Sequence, residues 1–179
     1  MIDFVPDVNG CALKYVPSFH RVAGGAPANV AGTISKLGLL SKVLKKLGED
    51  TFGDYMIETL EKSGIDTSSI LRDRNYETSL AFVSLKEDGN RDFAFYRKNS
   101  ADLHLTEDEI PDNILDDCGM IHFCSADLVE SSMKQAHHKL ITMAKEKGLL
   151  LCAAPDTFLG AGVQTARAIV DSGIVGDIT

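Results

Sequence analysis

The stretch Gly24-Gly25-Ala26-Pro27-Ala28-Asn29-Val30-Ala31 decides the fold. Two glycines allow backbone dihedrals closed to other residues and let a ligand come close to the main chain. Pro27 suits the first turn of a helix, where its missing N–H would find no partner in any case. Val30, Ala31, Ile34 and Leu37 then recur at helical spacing, and Gly38 stands where a left-handed cap would close the helix. The spacing therefore predicts a helix that begins at a binding surface. Asn29 falls in its first turn, where a short amide can offer donors and an acceptor to a polyhydroxylated ligand.

Taken alone, a Gly-Gly before a helix is most often a tight loop. Its neighbours give it meaning. Asp3 precedes it by one strand and a hairpin, and Leu47-Gly48-Glu49-Asp50-Thr51-Phe52-Gly53 follows after one helix and one strand. This order resembles the N-terminal half of the PfkB (ribokinase-like) carbohydrate kinases. Ile2-Asp3-Phe4-Val5-Pro6 and Asp92-Phe93-Ala94-Phe95-Tyr96-Arg97 are most similar to the fructokinase branch, and the resemblance runs over residues 1 to 152.

Composition narrows the function classes. The chain has 179 residues, 44% of them hydrophobic, with formal net charge −8. A chain of this size buries roughly 70% of its unfolded surface, so one domain with its own core is expected over 1–179. An acidic chain with scattered Lys and Arg argues against a nucleic-acid partner. No apolar run is long enough for a membrane span and no signal peptide is evident, so a cytoplasmic protein is expected. Cys11, Cys118, Cys124 and Cys152 lack metal or disulfide-scaffold spacing, and three of them lie in or beside apolar runs, which predicts buried thiols in a reducing compartment. His137 and His138 point to different sides of a helix, so they predict no shared metal.

Along the chain, Met1 to Val5 reads as a strand, Asp7 to Gly10 as a turn and Ala12 to Ala23 as an extended segment. A strand is predicted over Ser41 to Leu47, then a helix opened by the Gly48 to Gly53 loop and ended by Gly64. Thr78 to Leu85 and Arg91 to Arg97 read as strands joined by a hairpin at Asp88-Gly89. Helices are expected over Thr106 to Asp117, opened by a Thr106/Glu109 capping box, and over Ser131 to Lys147, with strands at Gly119 to Ser125 and Leu149 to Cys152. Such alternation calls for parallel strands with right-handed crossovers. The expected fold class is α/β. The resemblance implies a ribokinase-like parallel sheet flanked by helices and a small β lid built from segments 12–23 and 78–97.

The resemblance also implies roles. Asp3 would accept hydrogen bonds from sugar hydroxyls beside Gly24, Gly25 and Asn29, and Arg97 would reach the sugar from the lid. Without the family, Asp3 is an exposed charge near a chain end and Arg97 a solvated strand-end cation. Phe82, Phe93 and Phe95 read as core or lid packing. Glu49, Asp50 and Asp54 fit a helix amino end better than a metal site. Ser125-Ala126-Asp127 either lines the cleft or caps a helix.

In the tail, Asp156 of Asp156-Thr157-Phe158-Leu159-Gly160-Ala161 matches the family's catalytic base, which acts beside a Gly-Ala-Gly run whose N–H groups stabilise phosphoryl charge. Here Ala153-Ala154-Pro155 stands in place of that run. A second alignment uses Gly160-Ala161-Gly162 and puts Val163 at the base position. A third reads Ala153-Ala154-Pro155-Asp156 as a worn Phe-Asp-Pro-Asn, with Val175 to Ile178 as the next strand. Each leaves the carboxyl-terminal nucleotide half largely missing. The family function is ATP- and Mg²⁺-dependent phosphorylation of fructose or a related hexose. The alternative is a sugar-binding remnant without catalysis, and the apolar strands of the lid suggest a homodimer.

Overall fold

The computed structural model describes residues 1–124, 128–154, 161–174 and 176. Strands β1 (Ile2–Pro6), β2 (Phe19–Ala23), β5 (Leu80–Leu85) and β6 (Arg91–Tyr96) form one four-stranded sheet in the order β2-β1-β5-β6. The expected lid segments are thus joined by β1, which fills the middle of the sheet. It pairs antiparallel with β2 and parallel with β5. The β5–β6 hairpin closes as its Asp-Gly signal predicts: Lys86 N–H bonds the Asn90 carbonyl, and Gly89 has φ 79°. The start of the Ala12 to Ala23 segment is a short 3-10 turn at Leu13–Tyr15 rather than extended chain.

The alternating part supplies two parallel pairs. One is β3 (Lys45–Gly48) with β4 (Ile70–Asp73), and the other is β7 (Met120–Cys124) with β8 (Leu150–Ala154). Among the described residues these remain separate two-stranded sheets. The sequence reading did not mark β4, whose four residues are too few to show a period.

Helix α1 (Ala26–Lys36) starts at Gly25 and is followed by Gly38 at φ 83°. Ala28 and Ala31 are buried, whereas Leu37 is exposed. Helix α2 (Thr51–Lys62) is capped by Asp50, whose Oδ1 accepts from the N–H groups of Phe52 and Gly53. That satisfies two of the donors a helix start leaves unpaired. Glu49 and Asp54 pair with Arg74 and Arg72. Helix α3 (Ser132–Glu146) is followed by Gly148 in the left-handed region, and α4 (Ala161–Asp171) lies in the tail.

The helix expected over Thr106 to Asp117 is absent. The capping box forms, but it opens only a 3-10 turn at Glu107–Glu109. Pro111 explains the stop: it lacks an N–H and disfavours helical dihedrals in the residue before it, and Ile110 is extended at ψ 113°.

Two apolar clusters hold these elements. Ile2, Ala28, Ala31, Leu47, Met56 and Leu60 join β1 to α1, β3 and α2. Leu105, Ile110, Leu115, Met133, Ala136 and Leu140 seat α3 on the connector before β7. Between them lies Lys46, 8% exposed, whose ammonium bonds Asp73 at 2.9 Å, Glu109 at 2.7 Å and the His104 carbonyl at 3.1 Å. The four cysteines are unpaired and partly, not fully, buried.

Candidate functional site

The predicted turn folds back onto β1. Gly24 N–H bonds the Met1 carbonyl at 3.1 Å, and the Asp3 carboxylate lies against the Gly24 main chain, where an added Cβ would stand 2.0 Å from Oδ2. Only glycine leaves that space open. Gly25 takes φ 107°, which side-chain-bearing residues rarely adopt, and so aims the start of α1 at the same place.

Burial pushes the Asp3 carboxyl up, against the opposing charges of the amino terminus and Lys45. Lys45 was not singled out from sequence. Its Nζ would be 3.9 Å from a Cβ on Gly25, and its charge reaches both Asp3 and the Met1 amino group. Burial, then Lys45, holds that amino group well below its ordinary pKa. A single Lys in a strand next to another Lys carries no local signal of such a place.

The sheet register adds a second missed residue. Val22, Asp3, Ala81 and Phe95 form one cross-strand row, so their side chains share a face. Phe95 is 56% exposed and stacks on Phe93 with centroids 5.5 Å apart. Phe82 belongs to the other face, stacked on Phe4 at 4.6 Å, while Phe4 meets Phe52 of α2 edge-on. The three phenylalanines read together as packing therefore split: Phe82 is packed, and Phe93 and Phe95 present rings on the Asp3 face.

Arg97 follows β6 directly and bonds Asp102 through Nε at 2.7 Å and Nη2 at 2.6 Å. Burial raises the Asp102 carboxyl, but the Ser100 hydroxyl at 2.5 Å and the Arg97 charge outweigh it and hold the carboxyl below its usual range. The Met1 amino group feels both Asp102 and Asp3, so the two carboxylates flank the same end of β1. Asn29 is placed differently. Its side chain is exposed and lines a cleft of about 290 Å³ between α1 and α2, with Thr33, Lys36, Thr59 and Ser63, and Asp3 is not in that wall.

The structure thus brings Asp3, Gly24, Gly25 and Lys45 together, and sets Arg97 near them through Asp102. Asp156, Ser125-Ala126-Asp127 and the residues that separate the three tail alignments, 155–160, 175 and 177–179, lie outside the described residues. Among the described residues no three His, Cys, Asp or Glu side chains gather to hold a metal ion. No described helix is long and apolar enough to cross a membrane. A half-buried carboxylate on a glycine turn, with a cation nearby and an aromatic ring two strands away on the same sheet face, suits a small polyhydroxylated ligand.

Comparison with known proteins shows which family the chain resembles over nearly its whole length. The chain is 40% identical over 169 residues to a probable fructokinase-5 of Arabidopsis thaliana, which covers 94% of this chain and 52% of that protein. A fructokinase from Xylella fastidiosa superposes with TM-score 0.77 at 31% identity, covering 86% of this chain and 47% of the other. An uncharacterized sugar kinase from Pyrococcus horikoshii in complex with ATP superposes with TM-score 0.79 at 31% identity, covering 96% and 57%. The chain spans about half the length of the curated relatives it matches. The model of the pfkB family carbohydrate kinases matches residues 1–170, and the chain belongs to that family.

Proposed function

We propose that the chain acts as the sugar-binding part of an ATP-dependent, fructokinase-type kinase, which moves the γ-phosphoryl group to a hydroxyl of fructose or a related hexose. The observation that carries this reading is the Asp3 carboxylate seated on Gly24, in a chain 40% identical to a plant protein named a probable fructokinase. Asp3 accepts sugar hydroxyls, and Gly24 and Gly25 let the sugar approach the main chain. Lys45 donates to a hydroxyl, and Phe95 covers an apolar edge of the ring from the four-stranded sheet, which serves as the lid. Asn29 and Arg97 take the remaining sugar contacts by family resemblance, although Asn29 stands in the wall of the α1–α2 cleft and Arg97 is paired with Asp102. Asp156 takes the hydroxyl proton.

The described residues do not by themselves fit ATP with Mg²⁺. No carboxylate set gathers for a cation among them, and the sequence has no Gly-x-x-x-x-Gly-Lys loop. ATP and Mg²⁺ enter this reading through the family, and no step is routed through them. The Val22, Phe93 and Phe95 side chains exposed on the lid also favour a homodimer, which light scattering at micromolar concentration tests by mass. Incubation of purified chain with fructose and Mg-ATP tests the kinase reading. Fructose phosphate formation that Asp156→Asn abolishes supports it. Sugar binding without product leaves the non-catalytic alternative in its place.

A further inference from the structure

The face of β7 and β8 turned away from α3 carries three side chains with donor atoms, two of them in contact through their sulfurs. The strands pair in parallel with His122 opposite Cys152 and Met120 opposite Leu150. Alternation places Met120, His122 and Cys152 on one face. Ile121 and Phe123 take the other, where Ile121 packs into the α3 cluster and Phe123 meets His137 of α3 edge-on. The Cys152 Sγ lies 3.5 Å from the Met120 Sδ. His122 Nε2 is buried and has no hydrogen-bond partner among the described residues. Met120 is 41% exposed, so the sulfur pair has an open approach.

We propose that Met120, His122 and Cys152 bind a single monovalent copper ion. Two metal–sulfur bonds of about 2.3 Å to sulfurs 3.5 Å apart enclose an angle of roughly 100°, close to tetrahedral. The imidazole nitrogen supplies the third bond and ceases to be an orphan. A thioether and a thiolate select Cu(I) over harder cations. Binding displaces the Cys152 thiol proton to solvent, with no change of oxidation state, and leaves a neutral Cu(I)–thiolate unit. Only two of the three donors are His or Cys, the third being a thioether, so the absence of a three-membered His, Cys, Asp and Glu group among the described residues is consistent with it.

The test uses the full chain, reduced and anaerobic, titrated with Cu(I) against the chromogenic competitor bicinchoninate. The expected result is one equivalent withheld from the competitor. Cys152→Ser, His122→Gln and Met120→Leu should each weaken retention by more than the roughly tenfold that loss of an outer-shell partner costs a metal site. Cys11→Ser and Cys118→Ser should retain the ion. Met120→Leu alters a partly exposed apolar side chain and keeps the fold, which far-ultraviolet circular dichroism verifies. Absence of retention by the unaltered chain overturns the proposal, and so does retention that survives both Cys152→Ser and Met120→Leu.

Discussion

The Asp3 carboxylate and the Gly24 main chain exclude any side chain between them: a Cβ on Gly24 would stand 2.0 Å from Oδ2 and 2.4 Å from Cγ. The contact ties the strand that carries the acceptor to the turn that opens α1, so the position of one sets the position of the other.

Gly24→Ala and Gly25→Ala should therefore fail differently. At Gly24 the methyl group displaces the carboxylate, so fructose affinity falls at least about tenfold, while stability drops by the roughly 1–3 kcal/mol typical of overpacking. At Gly25 the space is open, with only Lys45 Nζ 3.9 Å away, and the penalty is the backbone at φ 107°, about 1–3 kcal/mol. Urea denaturation with sugar titration of both variants checks the contrast.

Asp3→Asn should lose sugar binding and gain stability near neutral pH. Burial raises the Asp3 carboxyl above its unfolded value, so this group favours the fold at low pH and works against it once pH rises through the folded pKa. A neutral amide of the same shape removes that cost. Thermal melts at pH 7 and pH 4 should show the variant ahead of the unaltered chain at pH 7 and level with it at pH 4. A lower midpoint at pH 7 contradicts the argument.

Lys46→Met should destabilise the chain by about 3–5 kcal/mol, because Asp73 and Glu109 would be left facing each other without their cation. Lys46→Met combined with Asp73→Asn and Glu109→Gln should recover part of that loss. Chemical denaturation of the single and triple variants measures both.

Acid should unfold the chain through Asp50 and its kind. Burial raises the Asp50 carboxyl, but the N–H groups of Thr78, Gly53 and Phe52 with the Thr78 hydroxyl outweigh it and hold the carboxyl below its usual value. Asp73 and Glu109 are also held low, Asp73 by Lys46 first, and Glu109 by Lys46 and Thr106 against burial. Groups with depressed folded pKa values contribute stability above their unfolded values of about 4, and that stability is lost as pH falls through the folded values. Denaturation midpoints should hold from pH 7 to 5 and fall below pH 4. In Asp50→Ala the acid-induced drop should be smaller, from a midpoint already lowered by a cap worth about 0.5–2 kcal/mol.

What the sequence made legible was local. The Gly24-Gly25 turn, α1, the Asp50 cap of α2 and the Asp88-Gly89 hairpin follow from dihedral preference and capping within a few residues. The helix expected over 106–117 failed because the capping box says where a helix starts, while Pro111 says that it cannot continue. The central place of β1 in the four-stranded sheet was not legible, since its partner β5 lies almost eighty residues away and pairing leaves no local mark. Lys45, twenty residues after Gly25, was hidden in the same way. Phe95 was within reach, because alternation within β6 alone sets it on one face with Phe93, two residues before Arg97.

Calorimetric titration with fructose, of the unaltered chain beside Asp3→Asn, tests the central claim most directly. The account predicts one bound sugar per chain and a loss of at least about tenfold in the variant, the equivalent of one hydrogen bond to a charged acceptor. No heat from the unaltered chain, or equal affinity in the two, would contradict it.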